Sequence, residues 1–159
     1  MAQGAVLPQR LGTGFTSPRM RAATSADADR LAALWRRARP GSGVGVAELK
    51  AWLASNRALL LEDAAGHALA AIRYQEEAGG WRVEPIVTDP EQRGQGFGRW
   101  LMTALEASAI RENVAFLALD VEAASTLSYY RRLGYRPHGD DDMKLRKRVG
   151  GMWQQQELD

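Results

Sequence analysis

Cysteine is absent from all 159 residues. Without it the chain has no disulfide framework, no thiolate nucleophile and no zinc site of the thiolate type. Histidine is almost as scarce, with only His67 and His138, far apart in sequence, so no metal centre is expected. No apolar run approaches the roughly 20 residues needed to span a bilayer. The N-terminus also lacks the apolar core of a signal peptide. The chain therefore reads as having no membrane partner and a cytoplasmic location. A strong charge of either sign is missing too: the net charge is +2, which permits anionic partners without demanding nucleic acid. No repeat and no second domain is visible.

What is present fits one soluble domain. Hydrophobic residues at 45% and charged residues at 25% are ordinary for a globular chain long enough to bury a sizeable core. Residues 1–18 carry Gly, Pro, Ser and Thr without periodicity and read as a flexible leader. Residues 19–149 read as the domain and 150–159 as a tail. Arg19–Ala23 is a candidate strand. Thr24–Asp27 resembles a capping box for a helix with Leu31, Leu34 and Trp35 at helical spacing, stopped before Pro40. Beyond the Gly41–Gly45 loop, a second helix over Val46–Ser55 places Leu49, Trp52 and Leu53 on one face. Leu59–Leu61 and Ala68–Tyr74 read as strands joined by the Asp63–Gly66 turn.

After Gly79-Gly80 the pattern predicts a strand over Trp81–Thr88 and a helix over about 98–112, with Asn113 as its C-cap. A strand over Val114–Val121 follows, then a helix over about 124–133 ended by Gly134, and a last strand near Met143–Val149. The Lys144–Arg148 run alternates like a charged edge strand. A strand that returns beside 81–88 after a helix implies a parallel pair with a crossover.

The densest signal is Gln92-Arg93-Gly94-Gln95-Gly96-Phe97-Gly98-Arg99, between that strand and that helix. Alternating glycines there expose backbone N–H groups at a helix N-terminus, a natural place for phosphate oxygens. A Walker loop is excluded, because no Gly-Lys pair occurs in the chain. The dinucleotide fingerprint G-x-G-x-x-G fails as well: its sixth position is Arg99 counted from Gly94 and Leu101 counted from Gly96. An RNA-binding strand motif shares part of Arg93-Gly94-Gln95-Gly96-Phe97, but needs an aromatic residue where Gln95 stands. What fits is R-x-x-G-x-G at Arg93, Gly96 and Gly98, which resembles the pyrophosphate loop of the GNAT N-acetyltransferase superfamily. Three further blocks are similar to that family and occur in its order: Arg21–Ala28, Ile86–Gly94 and Tyr129–Tyr135. Together they cover about residues 20–149.

The resemblance implies an α/β (α+β) fold: a mixed, mostly antiparallel central sheet with helices on both faces and a splayed parallel strand pair. It implies acetyl-CoA as the co-substrate. The backbone of Gly94, Gln95, Gly96, Phe97, Gly98 and Arg99 would wrap the pyrophosphate, with Arg93 and Arg99 adding charge-assisted bonds. Ile86, Val87 and Thr88 would present unpaired backbone groups to the pantetheine arm, and Pro85 suits a strand whose pairing is interrupted. The implied reaction is direct transfer of an acetyl group to a primary amine of a small molecule or peptide. An alkyl amine of pKa ~10 must lose a proton before it attacks. Glu84 is the candidate base, with Glu122 and Asp120 as runners-up. Tyr130 is the implied proton donor to the departing thiolate. Tyr129, about 100° away around the helix, is expected to pack rather than share the thioester.

Trp35, Trp52 and Trp81 read as core or cleft-wall packing, with Trp52 also a candidate wall of an acceptor pocket. That pocket is expected from the Gly41–Gly45 loop, the second helix and the end of the chain. Ala123 departs from the family, whose members often carry an asparagine there. A non-catalytic acyl-CoA-binding module and an RNA-associated protein are the alternatives, and a homodimer is compatible with the sequence.

Overall fold

The computed structural model describes residues 17–150, so most of the expected leader and tail lies outside the described residues. Strand β1 (Arg19–Ala22) enters a 3-10 turn (Ser25–Asp27) and helix α1 (Ala28–Ala38). The Thr24 N–H donates to the Asp27 carboxylate at 2.7 Å, which satisfies one of the donors that a helix start leaves open. Helix α2 spans Val46–Ser55, as its sequence predicts, but fully buries only Leu49. Trp52 and Leu53 are half-buried.

Strands β2 (Arg57–Glu62), β3 (Ala68–Glu77) and β4 (Gly80–Val83) form an antiparallel meander. Then come β5 (Val87–Thr88), helix α3 (Phe97–Arg111), β6 (Phe116–Asp120), helix α4 (Ala124–Arg132), β7 (Arg136–Pro137) and β8 (Lys144–Arg148). The sheet order is β1-β2-β3-β4-β6-β8-β7, with β5 attached to β3. Among the described residues only β4 and β6 are parallel. Their contact is close: a Cβ on Gly80 would lie 2.3 Å from the Phe116 ring, so glycine is required there.

Each face of the sheet has its own core. On one, Leu101, Met102 and Leu105 of α3 and Tyr130 of α4 meet Ile72, Trp81, Leu117 and Leu119. On the other, Leu31, Leu34 and Trp35 of α1 and Leu49 of α2 meet Leu60, Ala71 and Val87. Each fully buried leucine contributes about 1.5–3 kcal/mol of transfer free energy. The expected mixed sheet with helices on both faces is the fold observed, and no described helix is long and apolar enough to cross a membrane.

Three expectations need correction. The predicted Trp81–Thr88 strand is broken. The Glu84 N–H still reaches the Arg73 carbonyl at 2.9 Å, but Pro85 has no N–H to give. Pro85 and Ile86 then stand opposite Ile72 alone, so the register slips by one residue before Val87 pairs Ala71. This is a β-bulge, which bends the strand away from its neighbour. Secondly, Lys144–Arg148 is not the sheet's edge: β6 flanks it on one side, and the short β7 covers Leu145 and Arg146 on the other. Thirdly, the C-cap of α3 is Glu112 and not Asn113, which follows it with φ +60°.

The β1–β2 edge carries a buried charge network that the sequence does not announce. Arg21 grips Asp27 with two bonds, 2.7 and 2.9 Å, and reaches Glu62 at 2.9 Å. Arg30 pairs with both carboxylates and Arg19 adds a further bond to Glu62. Hydrogen bonds from Arg21 lower the Glu62 pKa to about 2 against the cost of burial. The Asp27 carboxyl is likewise held well below the usual range, chiefly by Arg21. The network ties α1 to the sheet.

Candidate active site

The bulge opens the sheet. After Val83 the chain leaves β6, while β6 continues toward β8 through the Val121 N–H and Met143 carbonyl, 2.8 Å apart. Among the described residues, β5 pairs only with β3. The gap between β5 and the end of β6 is a cleft of about 640 Å³, and the N-terminus of α3 looks into it.

Gly94 and Gly96 have φ of +83° and +81°, the left-handed region that costs a side-chain-bearing L-residue about 1–2 kcal/mol. Gly98 has no such constraint. A Cβ there would meet Ile86 no closer than 3.6 Å and the Tyr129 hydroxyl at 3.9 Å, so glycine keeps this spot open toward the cleft. The first helical bond runs from the Trp100 N–H to the Gly96 carbonyl, 3.0 Å. The preceding N–H groups of Phe97, Gly98 and Arg99 therefore have no acceptor within the helix. The first turn of α3 contains no acidic residue and carries Arg99 instead. A cation opposes the positive end of the helix dipole unless an anion joins it.

Of the residues singled out from sequence, Glu84, Ile86, Thr88, Arg93, Gly94, Gly96, Phe97, Gly98, Arg99 and Tyr130 all line this cleft. Two do not. The Val87 side chain is buried on the α1 side of the sheet, because alternation along β5 turns it away. Gln95 is exposed and bonds to Gln92 at 2.8 Å. The Val87 main chain is not free either: it pairs with Ala71 of β3, so the expectation that it presents unpaired backbone to a ligand does not hold. Of these two only the Gln95 main chain lies in the glycine turn. Arg93 has a structural task as well: it donates to the Ala38 carbonyl at 3.0 Å, satisfying an orphan acceptor at the end of α1.

The three carboxylates named from sequence converge on the cleft. Asp120 faces Arg82 at 3.1 Å and Lys144 at 3.8 Å. Glu122 faces Arg39 at 3.2 Å, a pair that links the end of α1 to the end of β6. The half-buried Glu84 side chain has no ion-pair or hydrogen-bond partner among the described residues. Tyr130 is buried, with its ring edge-on to Tyr129 and Tyr135 at 5.1 and 5.8 Å between centroids. Burial pushes its pKa up to about 12, so it remains a neutral phenol and a hydrogen-bond donor. Its hydroxyl has no partner among the described residues.

Tyr129 packs against the core as expected, and it also lines the same cleft as Tyr130, nearer the α3 N-terminus, with its hydroxyl beside Gly98. The Gly41–Gly45 loop and α2 do not line the cleft, whereas Arg39, just before that loop, does. Arg39 had no sequence signal, since its role depends on where α1 ends. The end of the chain lies outside the described residues.

A splayed parallel pair beside a glycine-rich helix start is the arrangement of a coenzyme A-dependent acyltransferase fold. The chain belongs to the Acetyltransferase (GNAT) family, whose model matches residues 21–135. Its fold is similar to that of the ribosomal-protein-S18-alanine N-acetyltransferase from Escherichia coli (TM-score 0.72, 19% identity, covering 84% of this chain and 95% of that one). It is also similar to a GNAT family N-acetyltransferase from Escherichia coli in complex with CoA (TM-score 0.69, 18% identity, 87% and 85% covered). A GNAT family acetyltransferase from Brucella melitensis in complex with acetyl-CoA is a further relative (TM-score 0.67, 20% identity, 86% and 90% covered). No curated protein sequence matches the chain significantly.

Proposed function

We propose that this protein transfers an acetyl group from acetyl-CoA directly to a primary amine of a small molecule or peptide. One observation carries the reading: unpartnered N–H groups and two left-handed glycines at the start of α3 open onto a cleft in the gap beside β5. The cleft fits the co-substrate. Gly94, Gly96 and Gly98 leave space for phosphate oxygens, and Arg93 and Arg99 stand beside them. Ile86, Leu119, Val121 and Phe97 offer apolar wall to a slender arm.

The co-substrate supplies an acyl thioester, and the chain supplies proton management. Glu84, a carboxylate with no ion pair among the described residues, accepts the proton from the amine, directly or through water. Tyr130 donates a hydrogen bond to the sulfur as charge develops there. Its pKa of about 12 lies well above that of an alkyl thiol, about 8.5. The phenol therefore steadies the sulfur as a donor more than it surrenders its proton. With no cysteine in the chain, direct attack by the amine is the simplest course.

Calorimetric titration with acetyl-CoA tests the reading, run beside Gly98→Trp, which fills the cleft without straining a positive φ. Micromolar binding to the wild type and none to the variant is the expected result. Coenzyme A release with an amine panel then separates an enzyme from a passive binder. Absence of binding to both acetyl-CoA and coenzyme A would sink the proposal.

A further inference from the structure

Arg73 is the odd residue on the α1–α2 face. Its guanidinium carbon lies 5.0 Å from the centre of the Trp35 ring and 4.7 Å from that of Trp52. The residue is only 8% exposed, and its Nε has no hydrogen-bond partner among the described residues. Its one ionic neighbour, Glu48, stands 3.7 Å away, beyond hydrogen-bonding range, on a side chain 55% exposed. Guanidinium groups are rarely buried with their donors idle, because an unmade charged hydrogen bond is costly. The contrast with Arg21, saturated by two buried carboxylates, shows what a purely structural arginine looks like in this chain.

Arg73 does not itself line the cleft but stands beside a residue that does, Glu84. Continuing the Tyr74–Val83 register places Arg73 opposite Glu84, and the Glu84 N–H bonds to the Arg73 carbonyl. Directly opposed residues share a face, with Cβ atoms about 5 Å apart. Trp35 lies one helical turn before Arg39, which lines the cleft mouth. With indole rings packed against it and Nε buried, the guanidinium keeps only its two terminal amino groups for a ligand, and those two together match a carboxylate in bidentate geometry.

We infer that Arg73, held between Trp35 and Trp52 beside Glu84, binds a carboxylate on the acceptor, so that the preferred acceptors are amines that also carry a carboxylate. The inference rests on the acetyl-transfer reading above and names the substrate class of that site. Glu48 acts as the displaceable internal occupant. The carboxylate could come from a free amino acid or from the C-terminus of a peptide.

The test compares glycine, β-alanine and γ-aminobutyrate with their amides, and Gly-Gly with its amide, by coenzyme A release. The acids should be used at a lower KM than the amides, and the better arm identifies the source. Arg73→Gln should raise KM for the acids about 10- to 100-fold, the range of a charge-assisted hydrogen bond, and leave the amides unaffected. Glu48→Gln, on an exposed side chain, should lower KM for the acids about threefold, as loss of a weak competing ion pair would. Titrating the same acids and amides into the protein without acetyl-CoA, read by tryptophan fluorescence, tests the site even if no turnover occurs. Acids alone should change the signal, and Arg73→Gln should abolish the change. Equal response to acids and amides overturns the inference, as does a Glu48→Gln variant indistinguishable from wild type should Arg73→Gln not fold. Loss of acetyl-CoA binding would instead remove the reading beneath it, leaving the fluorescence result to stand alone.

Discussion

Asp27 and Glu62, buried at the β1–β2 edge, share Arg21 and Arg30, with Arg19 added on Glu62, whereas the Glu84 and Tyr130 side chains in the cleft have no polar partner among the described residues. Both regions bury polar groups at a cost of several kcal/mol if left unpaired. At the edge the chain meets that cost internally, and the result is a fixed join between α1 and the sheet. In the cleft it does not, and the open valences remain available to whatever enters. The saturated groups thus hold architecture together, and the unsatisfied pair in the cleft is the one we propose for the chemistry.

The contrast breaks most sharply at Glu84. Glu84→Gln should lower kcat/KM about 10²- to 10⁴-fold, the range for losing a general base, while acetyl-CoA binding by calorimetry stays unchanged. An undiminished rate would shift the base to Asp120 or Glu122. Arg21→Met should cost about 3–5 kcal/mol in denaturant unfolding, because two buried carboxylates lose their main partner. The pH dependence follows from the lowered carboxyl pKa values. Their stabilisation is complete above the unfolded values near 4 and drains as pH falls through the folded value of Glu62, about 2. Wild-type Tm should drop steeply across that window and Arg21→Met less so, whereas a flat wild-type profile would deny the network its role. Tyr130→Phe should reduce kcat about 10- to 100-fold, as one hydrogen bond to a developing charge is lost. Tyr129→Phe, measured alongside, should do less, which would separate the two tyrosines that share the cleft.

Much of this was legible in the sequence because it is local. The α2 bounds, the Thr24–Asp27 cap and the R-x-x-G-x-G turn are written within a few residues of one another. Pro85 likewise marked an interruption of the strand, though not that Val87–Thr88 would pair with β3 instead. The hidden features are long-range. Arg21 meets Glu62 across 41 residues, and Arg39 meets Glu122 across 83. Arg73 looks like any strand arginine until α1 and α2 bring two tryptophans against it. That Tyr129 both packs against the core and reaches the cleft is hidden for a related reason: helical geometry gives the angle between neighbouring side chains, but only the fold gives the width of the cavity they face.

The bulge at Pro85 also has a mechanical meaning. Among the described residues, backbone pairing between β1–β3 with β5 on one side and β6, β8 and β7 on the other runs through Gly80–Val83 against Phe116–Leu119, extended by one bond from the Ala115 N–H to the Gly79 carbonyl at 3.2 Å. Four residues per strand and the close fit of Phe116 on Gly80 form the seam, and α3 lies across it as a brace, touching β3 and β6. Beyond the seam the two halves part like an open clothes-peg. The cleft is lined from both halves, so a molecule lodged between the jaws would bridge them, and occupancy of the cleft should rise together with rigidity of the fold.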